Sequence, residues 1–345
     1  MKRKFSILLV SAVILGLTLS LAGVLVSQAA PLEKQQGQNR EAPKPIPAAN
    51  IEVVKKVFSE DVGKGKGKPS PPPKTGGEAT GIITQPLLEG AKKHAVVIGI
   101  CDYPGEDYDI CWSDGDSVNM YNALVNYGYA SDNIYLFRDE TPNHLEITDG
   151  PATFANIEDA VLYKIKPSVK PGDEVVFFFS GHGGRVDDTS GDEADGKDEM
   201  LIVHDGKEIV GILDDTLKYW FSDFETTRIA FIFDTCLAGG QNDVAGDGRL
   251  VSMATGENQS AYVYSKGDST TGELGEGVFS HYFVNEGMLQ GKADKYDHDK
   301  DGSLSEPTDV VAEEAFDYAK ANIPPYLKVR QKPVISDNFE NDLLL

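Results

Sequence analysis

The chain has 345 residues, 40% of them hydrophobic and 25% charged, an ordinary composition for a folded protein with one sizeable domain. Its formal net charge of −23 is unevenly spread: residues 1–90 carry 12 Lys and Arg against 7 Asp and Glu, and residues 91–345 carry 20 against 48. So acidic a domain excludes a nucleic-acid partner and suits basic substrates or bound cations, most of its carboxylates being solvated surface. Three cysteines exclude a disulfide scaffold.

In chain order, Met1-Lys2-Arg3-Lys4, an apolar stretch from Phe5 to Val26 and the small residues Ser27 and Ala29 make residues 1–30 a signal peptide or an uncleaved membrane anchor. Either one predicts a secreted or extracytoplasmic protein whose membrane contact is that segment alone. Residues 31–90 are rich in Pro, Gly and Lys and are expected to be a flexible linker or pro-segment, with Ile51 to Phe58 able to form a short helix. Residues 91–345 alternate apolar runs with amphipathic stretches. Strands are expected at 95–100, 133–137, 175–179, 200–203, 229–233 and 261–264. Helices are expected at 117–127, from Asn156 as a cap through Ile165, and at 213–221, 278–289 and 312–321. The alternation predicts an α/β fold, a mostly parallel sheet covered by helices on both faces. Cys101 and Cys111 either pair or Cys101 is simply packed, and Cys236 is the odd thiol.

Two motifs carry the chemistry. Ser180-Gly181-His182-Gly183-Gly184 follows one intensely apolar run, and Asp234-Thr235-Cys236-Leu237-Ala238-Gly239 follows another. Functional groups gather beyond the carboxyl ends of such strands, which puts a histidine and a cysteine at one rim of one sheet. A thiol nucleophile and its proton-transfer partner need that arrangement. A second signal lies at Asp297-His298-Asp299-Lys300-Asp301-Gly302-Ser303, which matches an EF-hand loop over its first positions within 297–308. Asp297, Asp299, Asp301 and Ser303 are its side-chain ligands. Thr308 stands where a bidentate acid belongs, so Glu306, Asp309, Glu313 or Glu314 would have to substitute and binding should be weak.

The paired motifs, with the acidic run Gly191-Asp192-Glu193-Ala194-Asp195-Gly196-Lys197-Asp198-Glu199 between them, resemble the caspase–legumain clan of cysteine peptidases, and within it the metacaspase-like and prokaryotic caspase-domain proteins. The resemblance runs from about His94 to the carboxyl terminus. It implies a caspase-like three-layer α/β/α sandwich, Cys236 as nucleophile, His182 as proton carrier, and an oxyanion hole at the N–H groups of Gly183 and Cys236. It also implies a pocket lined by Asp234 and by either Asp114 or Asp116, hence cleavage of protein or peptide substrates after Arg or Lys. The animal-caspase sequence Gln-Ala-Cys-x-Gly is absent, which argues against aspartate specificity. Calcium dependence is implied as well. The run from Asp187 to Glu199, with Asp192 and Asp195, is then either a second calcium ligand set or a solvated loop. The lysines between Lys64 and Lys74 are the expected place for self-processing. Two other readings stand beside this one: legumain-like asparagine specificity, and a catalytically silent calcium-binding regulatory or adhesion module.

Overall fold

Continuous runs of β-branched and aromatic residues leave no face for water, so they fold as central strands buried on both sides. The computed structural model describes residues 43–61, 87–105, 108–110, 113–138, 148–191, 193–264, 275–295, 310–340, 342–343 and 345. The leader, Lys64 to Lys74, Cys111, Asp192 and the loop with Asp297, Asp299, Asp301 and Ser303 lie outside them.

The elements in order are β1 (Ile46–Pro47), β2 (Glu52–Val54), β3 (Val57–Phe58), β4 (Lys93–Gly99), α1 (Ser113–Asn126), β5 (Ile134–Arg138), α2 (Phe154–Glu158), β6 (Glu174–Ser180), β7 (Gly183–Asp187), β8 (Lys197–His204), β9 (Ile209–Leu213), α3 (Asp214–Phe221), β10 (Ile229–Asp234), β11 (Arg249–Met253), β12 (Tyr262–Val263), α4 (Val278–Ser280), α5 (Ala312–Asn322), α6 (Pro325–Lys328) and β13 (Val334–Asp337). Two helices continue with π-type hydrogen bonding, α2 through Asp159–Ile165 and α4 through His281–Leu289.

The main sheet has the order β13-β11-β10-β6-β4-β5. All its pairs are parallel except β11 with β13. Alternate residues of its strands feed two cores. Val97, Val176, Phe178 and Ile232 pack with α1, the α4 helix and α5, whereas Val96, Phe177, Phe231 and Phe233 pack with α2, α3 and the second sheet. This is the expected three-layer α/β/α arrangement.

Several expectations need correction. The strand containing Met200 to Val203 leaves the parallel sheet for an antiparallel one, ordered β1-β9-β8-β7-β2, and β12 forms a two-stranded sheet with β3. Thr153, not Asn156, caps α2, accepting the Asn156 N–H. The largest correction concerns 31–90. Residues 43–61 are not a linker, and Ile51 to Phe58 holds strands in place of the expected helix: β1, β2 and β3 each add to a strand of the domain, with 3₁₀ turns at Ala48–Asn50 and Ser59–Asp61. Alternation of Ile51, Val53 and other β-branched residues supplies the period that a strand needs. Within the described residues, no helix is long and apolar enough to cross a membrane.

Candidate active site and acidic clusters

The parallel register places Asp234 beside Ser180 at the ends of β10 and β6, so the two motifs leave the sheet side by side. A Cβ on Gly183 would overlap the Cys236 carbonyl oxygen, which shows how closely the turn after His182 abuts the turn at Cys236. The latter is sharp: Leu237 sits at φ 58°, a left-handed conformation costly for a bulky side chain and found where local geometry is fixed by function. Cys236 is 1% exposed. Its Sγ accepts the Ala261 N–H at 3.2 Å. Burial pushes the thiol up to about 12, with Asp234 adding to the rise, while the Ala261 hydrogen bond and Lys56 oppose it.

His182 is held on every side. Its backbone N–H donates to the Tyr103 hydroxyl at 2.8 Å, and the Tyr103 ring stacks on the imidazole at 5.1 Å. One ring nitrogen, Nε2, lies 2.8 Å from the Tyr108 carbonyl oxygen, and Nδ1 lies 3.0 Å from the Lys56 backbone N–H. A carbonyl can only accept and an amide N–H can only donate, so Nε2 carries the hydrogen and Nδ1 the lone pair. The ring is therefore neutral. Burial, followed by the Lys56 and Lys55 charges, lowers its pKa to about 4, against a favourable contribution from Tyr108.

The acidic pocket is built from three strand or helix ends. Asp234 accepts the Ser280 N–H at 2.8 Å through Oδ2, and Asp116 accepts the Gly277 N–H. Ser180 Oγ donates to Asp116 Oδ2 at 2.6 Å. A side chain at Gly277 would run into both carboxylates. Burial, with Asp234 and Glu276 nearby, holds the Asp116 carboxyl well above its usual range, although Lys56 opposes this. Asp114 is held elsewhere: its Oδ2 is ion-paired with Arg138, 2.6 Å away.

Lys56 fills this pocket. Its Nζ lies 3.0 Å from Asp234 Oδ1 and donates to Ser180 Oγ at 3.0 Å, and the residue is only 5% exposed. Among the described residues Asp234 Oδ1 has no hydrogen-bond partner, so the ammonium is what compensates it. Val54 covers Cys236, Leu237 and Ala261, and also lies opposite Gly183 in the β2–β7 register. Sequence reasoning missed Lys56, Ser180, Tyr103 and Gly277. A signal existed only for the first, as a lysine inside a β-branched run.

A second acidic cluster lies apart from the pocket residues. Ligand atoms of Glu193, Asp214 and Asp243 come within 4.8 Å of one another. Asp214 is buried, and its Oδ2 has no hydrogen-bond partner among the described residues. Burial, with Asp243, Glu193 and Glu199 around it, pushes its carboxyl up to about 9. Asp195 stays out of this group; it is exposed and accepts the Lys197 N–H. Glu313 and Glu314 are likewise committed to backbone N–H groups, those of Leu343 for the first and of Val311 and Lys295 for the second.

Residues 93–245 match the model of the metacaspase peptidase C14 domain. Metacaspase-1A of Aspergillus terreus is 32% identical over 188 residues, 52% of this chain and 45% of that protein. Metacaspase-1 of Kluyveromyces lactis is 32% identical over 151 residues, 43% of this chain and 34% of the relative. The chain thus spans less than half the length of these two relatives. Among solved structures, the Drosophila initiator caspase Dronc superposes with a TM-score of 0.47 at 12% identity, covering 80% of this chain and 96% of the other. Residues 93–245 of this chain are therefore similar to the metacaspase peptidase C14 domain, and the likeness to the metacaspases of these fungi extends over about half of the chain.

Proposed function

We propose that this protein is an exported, calcium-responsive cysteine endopeptidase that cleaves after Lys or Arg. The single observation that carries the specificity is the chain's own Lys56 ammonium between Asp234 and Ser180, with Asp116 behind. Two buried carboxylates favour a cation and would repel an acidic side chain. An asparagine amide would leave the Asp234 charge unpaired.

In the proposed reaction, Cys236 Sγ attacks the carbonyl carbon of the residue held in the pocket, and its proton passes to His182 Nδ1, the ring nitrogen left with a lone pair. The N–H groups of Gly183 and Cys236 would receive the developing oxyanion. The C–N bond then breaks, and the imidazole returns its proton to the nitrogen of the following residue. Water attacks the resulting thioester and releases the carboxylate product and the Cys236 thiol. The Ala261 N–H on Sγ favours thiolate, the Tyr108 carbonyl keeps the ring in the tautomer the reaction uses, and Tyr103 holds the imidazole in place by stacking and by its hydroxyl on the His182 backbone.

Calcium suits Glu193, Asp214 and Asp243, because a buried carboxylate oxygen without a partner is relieved by a cation and hard oxygen donors fit this ion. Bound there, it would supply positive charge to the buried Asp214 carboxyl, which the Lys218 ammonium on Asp243 does not bond. The 297–308 loop is a second candidate on its sequence alone. The leader at 1–30 supports export or anchoring in the same way.

The test is hydrolysis of fluorogenic peptides ending in Arg, Lys, Asn or Asp, by wild type and Cys236→Ala, with millimolar-range calcium and with chelator. Cleavage after Arg and Lys that needs both Cys236 and calcium is the expected result. Preference for Asn, or rates equal in Cys236→Ala, would overturn the reading.

A further inference from the structure

Lys56 occupies the pocket as a substrate side chain would, yet its backbone is in the wrong place for the reaction. Cleavage needs one residue in the pocket and the nitrogen of the next residue at the imidazole, because that nitrogen leaves and takes the proton. Here the same residue does both. The Lys56 side chain fills the pocket, and the Lys56 N–H is bound to His182 Nδ1. The Val57 nitrogen, which would have to leave if the Lys56–Val57 bond were cut, is turned to the Ala261 carbonyl at 3.0 Å. The Lys55–Lys56 bond fares no better: its nitrogen is at the imidazole, but the Lys55 ammonium lies over the Tyr108 ring at 4.4 Å and not in the pocket.

We propose that residues 52–58 are a built-in inhibitor of the cleft, a lysine ligand seated one position out of register and therefore not cut at Lys56. This rests on the peptidase reading above. Three further contacts hold the segment: β2 on β7, β3 on β12, and the paired hydrogen bonds from Arg185 to Glu52. Together they use the His182 lone pair, cover Cys236 with Val54 and compensate the pocket charge. Turnover requires the segment to leave, and a basic substrate competes with Lys56 for the same carboxylates.

The experiment uses the full chain with calcium and reads three things: the initial rate on an Arg-terminated fluorogenic peptide, the alkylation rate of Cys236 by peptide mapping, and the fragments formed by mass spectrometry. Lys56→Ala should raise both rates by roughly tenfold or more, since truncating one partner of a buried charge pair weakens the docked state substantially. Val57→Pro, which removes the N–H bound to Ala261 without touching the pocket, should raise them too and guards against misfolding of the first variant. Lys56→Arg should stay near wild type, and no wild-type fragment should end at Lys56. Unchanged alkylation in both Lys56→Ala and Val57→Pro would overturn the proposal. So would a fragment ending at Lys56 that wild type forms and Cys236→Ala does not. If alkylation accelerates while no variant hydrolyses any peptide, the inhibitor stands and the peptidase reading fails.

Discussion

Two groups of acids, one wholly buried and one with a single buried member, lie in this domain and differ in how they are compensated. Asp116 and Asp234 are met by a buried cation from the same chain, at 3.0 Å from Asp234, whereas in the group of Glu193, Asp214 and Asp243 the half-exposed Lys218 reaches Asp243 at 2.6 Å and the buried Asp214 keeps one oxygen, Oδ2, with no hydrogen-bond partner among the described residues. A pocket that already holds its ligand reveals its specificity directly, because the ligand is the complement of the site. The second group leaves a deficit at the Asp214 Oδ2 oxygen alone, which a cation from solution would complement. The first is a question of competition between the bound lysine and a substrate, and the second of occupancy.

Four experiments would break or sharpen that contrast. Asp234→Ala should lower kcat/KM on Lys and Arg peptides by roughly two to three orders of magnitude, as removal of one member of a buried charge pair does. An unchanged value would mean that substrates bind elsewhere. Asp214→Asn should abolish the calcium-dependent rise in Tm; for the wild type at a calcium concentration 100 times Kd that rise corresponds to about 2.7 kcal/mol. Persistence of the full shift in the variant would move the ion to another loop. Ser180→Ala removes a hydrogen bond to a charged group, so a loss of about 1.5 kcal/mol in substrate binding, roughly tenfold in KM, is expected. The last effect concerns pH and is read on stability alone. His182 is held neutral with its pKa lowered from 6.5 to about 4, so the stability it contributes is complete above pH 6.5 and is lost as the pH falls through about 4. The gap in urea midpoint between wild type and His182→Phe should therefore narrow between neutral pH and about pH 4. A constant gap would show that the closed state does not depend on the neutral ring.

His182 and Cys236 were legible because each follows a continuous apolar run, and parallel register then fixes where both emerge. Asp116 could not be separated from Asp114 by spacing, since the two lie two residues apart in one helix and only tertiary packing sets Asp114 on Arg138 and Asp116 on Ser180. The place of 43–61 was obscured by the glycines, prolines and lysines that follow it. Composition averaged over 31–90 hid a short alternating stretch whose partners lie about 130 residues away in β7. Asp214 and Asp243 gave no signal because they come from α3 and from the turn of 3₁₀ helix at Ala238–Val244, and only tertiary packing brings them to Glu193.

The antiparallel sheet, β1-β9-β8-β7-β2, has both of its outer strands supplied from residues 43–61. A protein begun at residue 91, where sequence composition would place the domain boundary, would lack both. β9 and β7 would then present unpaired N–H and C=O groups on two sides, with the exposed apolar flanks of Val210, Ile212 and Ile202 behind them. Such edges are templates for pairing between molecules, so the shortened protein should associate or precipitate when produced at concentration, while the chain kept from residue 43 onward stays monodisperse.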